Sequence, residues 1–179
     1  DTLFVFVNHW PSRRGGEEKS EINRINAAQV LRKNVDELLV VNQDRKIIIM
    51  GDFNDEPSNK SIFEALKAGS FECSKTTQYK KDELINLSFI LFETGDGSYK
   101  YQDSWNMLDQ IIISGNFLNS EKVHFLCNSF EVFKPAILVT RTGKFAGTPF
   151  PTYGGARYLG GYSDHFPVRA KFVLKGANK

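Results

Sequence analysis

The stretch Ile47-Ile48-Ile49-Met50-Gly51-Asp52-Phe53-Asn54-Asp55-Glu56-Pro57 constrains this chain more than any other. A run of large apolar residues that ends in a tight polar turn reads as a fully buried strand delivering side chains to one edge of a sheet. Gly51 lets the backbone change direction, and Pro57 ends the extended run. Asp52 and Asn54 are two residues apart, so an extended backbone turns both into the same space. A carboxylate beside a carboxamide suits a metal-bound phosphate or an attacking water. The same residues also suit an Asx turn that caps the next helix.

The flanking sequence supplies layers for such a strand. Thr2–Val7 is predicted to be a second buried strand, with Asn8–Gly16 as the loop that leaves it. Ile22, Ile25, Ala28, Leu31, Val35, Leu38 and Leu39 recur at three- and four-residue steps, which predicts a helix over 20–41 with Ser20 as its N-cap. A short helix is expected over 58–68, ended by Gly69. Strand, turn and helix, twice over, is the rhythm of helices laid on a sheet. Residues 83–92 fit helix or strand, and helix is the expectation. Tyr99–Gln102 reads as a short strand, and residues 105–114 as a strand that carries Asp109 among Met107, Leu108, Ile111, Ile112 and Ile113. Further strands are predicted over 123–133, 135–140 and 168–174, with a long Gly/Pro/aromatic loop over 141–161. At 179 residues and 41% hydrophobic content, one domain over 1–179 is expected. Leu3-Phe4-Val5-Phe6-Val7 is already strand-like, as expected of a piece cut from something longer.

Several function classes lose support. The net charge is only +2, from 23 basic and 21 acidic side chains, which is no electrostatic footprint demanding nucleic acid. No apolar run is long enough to span a membrane. Cys73 and Cys127 have no metal-ligand spacing; they are two thiols or one disulfide, and they leave the compartment open.

The polar residues at strand ends or in apolar settings are Asn8-His9, Asp52 with Asn54, Asp109, and Asp164-His165. Each has an ordinary explanation: a loop histidine bonded to backbone, a carboxylate that holds a turn or pairs with arginine, a capping aspartate. As a set they carry chemistry. A buried Asp can orient an imidazole, which then accepts a proton from water near neutral pH. Carboxylates at a strand end can hold a hard cation. A second imidazole and an amide can donate to phosphoryl oxygens as charge builds.

Asn8-His9, Gly51-Asp52-Phe53-Asn54, Leu108-Asp109-Gln110-Ile111 and Ser163-Asp164-His165-Phe166-Pro167-Val168, in that order, resemble the endonuclease/exonuclease/phosphatase superfamily, which includes DNase I, abasic-site endonucleases and sphingomyelinases. Asn-His-Trp-Pro-Ser-Arg, Trp105 and the glycine- and tyrosine-rich loop before Ser163 resemble a bacterial branch, with a secreted or periplasmic parent among the options. The resemblance implies an α+β fold, a DNase I-like four-layer α/β/β/α sandwich of which this chain supplies mainly the C-terminal half. It implies metal-assisted, in-line attack of water on phosphorus, with Mg²⁺ or Mn²⁺ as the ion. His165 would be the general base or would bind the scissile phosphate, with Asp109 orienting it. Asp52 and Asn54 would position water and phosphate, and would hold the metal together with Asp164. His9 would stabilise the transition state. Asn8, Arg13, Tyr101, Trp105 and Tyr158 are the candidate substrate contacts, although Arg13 and Arg14 equally suit exposed loop charges and Trp105 suits the core.

The chain departs from this family in one respect. The glutamate that is the family's principal metal ligand follows a strand in the N-terminal half, and Glu17, Glu18 and Glu21 lie in a different context. Weak Mg²⁺ binding and little or no turnover are therefore expected of this polypeptide alone, and the missing N-terminal half is an expected partner. The substrate is expected to be a phosphate ester of a nucleic acid, nucleotide, sugar or lipid head group. A non-catalytic phosphate- or polyanion-binding module is the alternative.

Overall fold

The structure, a computed structural model, describes residues 2–174, so the expected bounds of 1–179 run into positions outside the described residues. The chain opens with β1 (Leu3–His9), α1 (Glu17–Val41), β2 (Lys46–Asp52), β3 (Ala68–Gly69), β4 (Leu84–Asn86) and α2 (Phe89–Glu93). It continues with β5 (Tyr99–Tyr101), β6 (Ser104–Asn106), β7 (Asp109–Ser114), β8 (Val123–Phe125) and β9 (Glu131–Val132). It ends with β10 (Tyr153–Gly154), β11 (Arg157–Tyr158), β12 (Val168–Arg169) and β13 (Phe172–Leu174).

A mixed five-stranded sheet in the order β1-β2-β7-β4-β3 organises the rest. β1 runs parallel to β2, and β7 is antiparallel to both β2 and β4. The isoleucine run divides between the two sheet faces, as the strand period requires. Ile47 and Ile49 join Ala28, Leu31, Val35 and Leu39 of α1 in one core, while Ile48 and Met50 pack against a second core built on Ile111, Ile113, Phe117, Phe125 and Phe166. The paired strands β8 with β13 and β9 with β12 feed this second core.

The structure differs from the sequence expectations where local pattern and packing compete. α1 begins at Glu17, after Gly16 in a left-handed-region conformation (φ 117°). Ser20 lies inside the helix, where its hydroxyl donates to the Gly16 carbonyl at 2.8 Å and accepts from Arg24 at 2.6 Å. β1 is an edge strand: Phe4 and Phe6 pack towards α1, whereas Leu3, Val5 and Val7 are exposed. The helix expected over 58–68 shrinks to one π-helical turn, Ser61–Ala65, because Ala68–Gly69 is drawn into the sheet beside β4. Residues 83–92 divide into β4 and α2, since Leu84 and Ile85 are each needed in a different core. The strand expected over 105–114 breaks at Met107–Leu108 into β6 and β7, and that expected over 123–133 breaks into β8 and β9. A 3-10 turn, Ala136–Leu138, replaces the strand expected over 135–140.

The turn after β2 is held by buried charge. Arg24 and Asp55 are both almost fully buried, with Nε 2.8 Å from Oδ1. This is a close charge approach, not a straight hydrogen bond, since neither atom finds an aligned partner. Ser61 donates to the other Asp55 oxygen at 2.6 Å, and Gln110 Nε2 donates to the Asp55 carbonyl at 2.6 Å. Asn86 completes the chain by donating to Gln110 at 2.7 Å. Removing one partner of such a pair strands the other charge in a medium that cannot solvate it. Arg24→Met should therefore cost ~3–5 kcal/mol in urea unfolding, and Asp55→Leu added to it should recover part of the loss. A single-variant loss below ~1 kcal/mol would mean that the pair does not anchor the turn.

Candidate active site

Three adjacent strands each place one polar side chain in a single row. His9 pairs in register with Asp52 across β1 and β2, and Asp52 pairs with Asp109 across β2 and β7. Alternation puts all three on the sheet face that carries Val7, Met50 and Ile111. His9 Nε2 lies 3.6 Å from Asp52 Oδ2 and is largely exposed.

The fourth member comes from the segment after the long loop. His165 Nδ1 lies 2.6 Å from Asp109 Oδ2. Its backbone N–H is held by Ser163 Oγ at 3.0 Å, and its ring packs on Tyr99 at 4.6 Å between centroids. The next residue, Phe166, is fully buried, and its N–H donates to the Ser98 carbonyl at 2.8 Å. Ser98 is fully buried too, and its hydroxyl donates to Asp109 Oδ2 at 2.6 Å while it accepts the Asp109 N–H at 3.1 Å. Asp109 Oδ2 is thus gripped from two sides. With Asp109 ionised, the contact places a proton on His165 Nδ1 and leaves Nε2 of the neutral ring as a base.

Asn54 shapes the turn beyond Asp52. It adopts φ 51°, its N–H donates to Asp52 Oδ1 at 2.9 Å, and its side-chain amide donates to the Trp10 carbonyl at 3.0 Å. The Asn54 carbonyl accepts from Arg13 Nε at 2.7 Å. The other Arg13 nitrogens reach Glu17 at 3.1 Å, Asn59 at 3.2 Å and Asn106 at 3.3 Å, so this guanidinium is committed to the protein.

Electrostatics follow from this crowding. Burial pushes the Asp52 carboxyl above its usual range; the Asn54 N–H opposes this, and the neighbouring Asp109 charge adds to it. For His165, burial acts to lower the pKa, but the Asp109 hydrogen bond and the Asp109, Asp52 and Asp164 charges outweigh it, and the net shift is upward.

A cleft of about 760 Å³ opens beside the row and is lined by His165, Asn54, Asp164, Arg13, Tyr99 and Tyr101, among others. The structure therefore brings together His9, Asp52, Asp109 and His165, and sets Asn54, Asp164, Arg13 and Tyr101 around the adjoining cleft. It does not bring Asn8, Trp105 or Tyr158 there. Asn8 faces the other side of β1, where it accepts from Trp10 Nε1 at 3.2 Å and donates to the Met50 carbonyl at 3.5 Å. Trp105 packs on Phe166 at 5.9 Å, under the Lys134 ammonium. Tyr158 sits on the β10–β11 hairpin against Tyr153. Ser98 and Tyr99 are site residues that the sequence reading missed. Ser98 lies at the end of an evident turn, and only the pairing of β5 with β6 sets it against Asp109.

Asp52, Asp109 and His165 offer donor atoms within 4.8 Å of one another. Because Asp109 Oδ2 already serves Ser98 and His165, Asp52 Oδ2 is the oxygen best placed for a cation. A hard divalent ion held by one carboxylate, with water and phosphate oxygens filling the remaining sites, fits that donor set. Asp164 lies exposed outside the group, and the Asn54 amide is turned to Trp10.

Comparison with known proteins bears on the family and the fold. A family model described as "Endonuclease/Exonuclease/phosphatase family" matches residues 1–174. No curated protein matches the chain. Among solved structures, the human Nocturnin catalytic domain with bound sulfate is similar at TM-score 0.50 and 18% identity, over 96% of this chain and 47% of that one. A mannosyl-6-phosphatase of Bacteroides thetaiotaomicron is similar at TM-score 0.51 and 19% identity, over 96% and 51%. Truncated Caenorhabditis elegans TDP2 is similar at TM-score 0.51 and 13% identity, over 97% and 54%. The chain spans about half the length of these structures, and at such identities the likeness is one of fold.

A raised histidine pKa contributes stability that is fully present below the unfolded value of about 6.5 and is lost as pH rises through the folded value. In metal-free protein, NMR titration should therefore place His165 above about 6.5. Asp109→Asn should bring it down and remove the matching rise in stability at low pH. A wild-type value at or below about 6.5 would contradict the Asp109–His165 pairing.

Proposed function

The chain belongs to the endonuclease/exonuclease/phosphatase family, and from that premise we propose that it carries the catalytic face of a divalent-metal-dependent phosphoesterase. The observation that carries this reading is the Asp109–His165 contact at 2.6 Å, set in a row with Asp52 and His9. Asp109 holds the His165 ring with Nε2 free, and Nε2 takes a proton from the attacking water. Asp52 and the Asn54 turn orient that water and the phosphate. His9, exposed at the far end of the row, donates to the phosphoryl oxygens as charge develops. Mg²⁺ or Mn²⁺, held chiefly by Asp52, would supply charge neutralisation at phosphorus. Arg13 positions Asn54 through its carbonyl.

On the same reading the five-stranded sheet is one of two in a four-layer sandwich, and this chain supplies mainly its C-terminal half. The substrate is a phosphate ester with modest charge. The cleft carries Glu17 and Asp164 as well as Arg13 and Arg14, so it lacks the one-signed basic lining that a long polyanion would need.

Two outcomes are expected with bis-p-nitrophenyl phosphate. Calorimetry should show weak Mg²⁺ binding, because Asp52 is its chief protein ligand. Turnover should be slow, should need high metal concentration, and should fall by about 10²–10⁴-fold in His165→Ala. Turnover unchanged in His165→Ala would overturn the assignment of the base. Phosphate binding without hydrolysis in the full-length parent would make this a non-catalytic phosphate-binding module.

A further inference from the structure

The two cysteines are far apart in sequence and adjacent in space. Cys73 opens the 3-10 turn Cys73–Gln78, and Cys127 follows β8. Phe71 and Phe125, each two residues before a cysteine, pack edge to face with centroids 5.7 Å apart, which lays the two segments side by side. Both thiols are half-buried and unbonded, and both pack against the second core. The Cys73 thiol is near enough to act on the ionisation of Cys127.

We propose that Cys73 and Cys127 form a dithiol site that closes to an intramolecular disulfide when met by a small disulfide oxidant such as oxidised glutathione. The order of events follows from the chemistry of the pair. Burial, reinforced by the Cys73 thiol, pushes the Cys127 thiol up to about 12, so Cys127 stays protonated. Only a thiolate attacks a disulfide, and the first step therefore falls to Cys73. Its sulfur attacks one sulfur of the oxidant, breaks the glutathione S–S bond and releases one glutathione thiolate. Capping Cys73 removes the partner that helped to hold the proton on Cys127. Cys127 then gives its proton to solvent and attacks the Cys73 sulfur, expelling the second glutathione thiolate. Two cysteine thiols are oxidised and one glutathione disulfide is reduced. The new bond ties the segment after β3 to the turn between β8 and β9, and closes a long loop that the unfolded chain would otherwise sample freely.

The test is incubation of the purified chain with oxidised glutathione, followed by thiol trapping and non-reducing peptide mapping. The expected product is a monomer in which the Cys73 and Cys127 peptides are cross-linked, formed at a rate independent of protein concentration and melting at a higher temperature than the reduced chain. Cys127→Ser should accumulate a stable Cys73–glutathione adduct, and neither single variant should form the intramolecular cross-link. Stable adducts at both positions of the wild-type chain, cross-links only between chains, or two thiols that persist unchanged would each overturn the proposal. The wild-type map decides the matter even where a variant folds poorly.

Discussion

The pairing of β1, β2 and β7 sets which polar groups meet, because side chains alternate across a sheet and a slip of one residue would turn each row to the opposite face. His9, Asp52 and Asp109 share a row only in the register observed. Gly51 is part of that register. It lies within β2 at φ 133°, and a Cβ there would meet the Asn8 carbonyl oxygen at 2.0 Å. The glycine that reads as the start of a turn is a place where two backbones approach too closely for any side chain. Asn8 reinforces the same pairing, with its amide directed to the Phe6 and Met50 carbonyls on the α1 side.

Two buried polar systems brace this row from opposite sides of the sheet. On the α1 side, an ion pair between Arg24 and Asp55 and hydrogen bonds through Gln110 and Asn86 tie the helix, the turn after β2, β7 and β4 together. On the other side, Ser98 holds Asp109, and Asp109 holds His165. Gln110 and Asp109 are consecutive residues of β7, so each faces the system on its own side. Buried polar groups of this kind are costly unless satisfied; Arg24 Nε and Asp55 Oδ1 are matched by opposite charge alone, and the other links are hydrogen bonds. The reward is rigidity where the chemistry is placed.

Much of this was legible in the sequence, because the polar residues stood out against apolar strands. Ile47–Met50 announced β2, the Leu108-Asp109 strand stood between apolar neighbours, and the helical spacing of Ala28, Leu31, Val35 and Leu39 matches the buried stripe of α1. What was not legible depends on partners remote in sequence. Nothing local marks Ser98 as the residue that grips Asp109. Asp55 looked like one more turn residue until Arg24, Ser61 and Gln110 closed around it. Arg13 read as a phosphate contact or a solvated loop charge, yet its donors are spent on four protein acceptors. The split of residues 83–92 into strand and helix had no sequence signature, since the apolar residues serve two cores at once.

The two carboxylates of the row are not interchangeable, although they sit opposite each other on neighbouring strands. Asp109 Oδ2 already receives the Ser98 hydroxyl and faces the His165 ring, so drawing that oxygen to a cation would loosen the imidazole that it orients. Asp52 spends only Oδ1 on a backbone N–H and keeps Oδ2 towards His9, in a setting where burial and the Asp109 charge both work against its ionised form. A cation beside Asp52 would relieve that cost, while one drawn to Asp109 Oδ2 would compete with two good hydrogen bonds. Hydrogen bonding thus divides the labour between two chemically identical groups. One carboxylate keeps an oxygen open, and the other is tied to the imidazole.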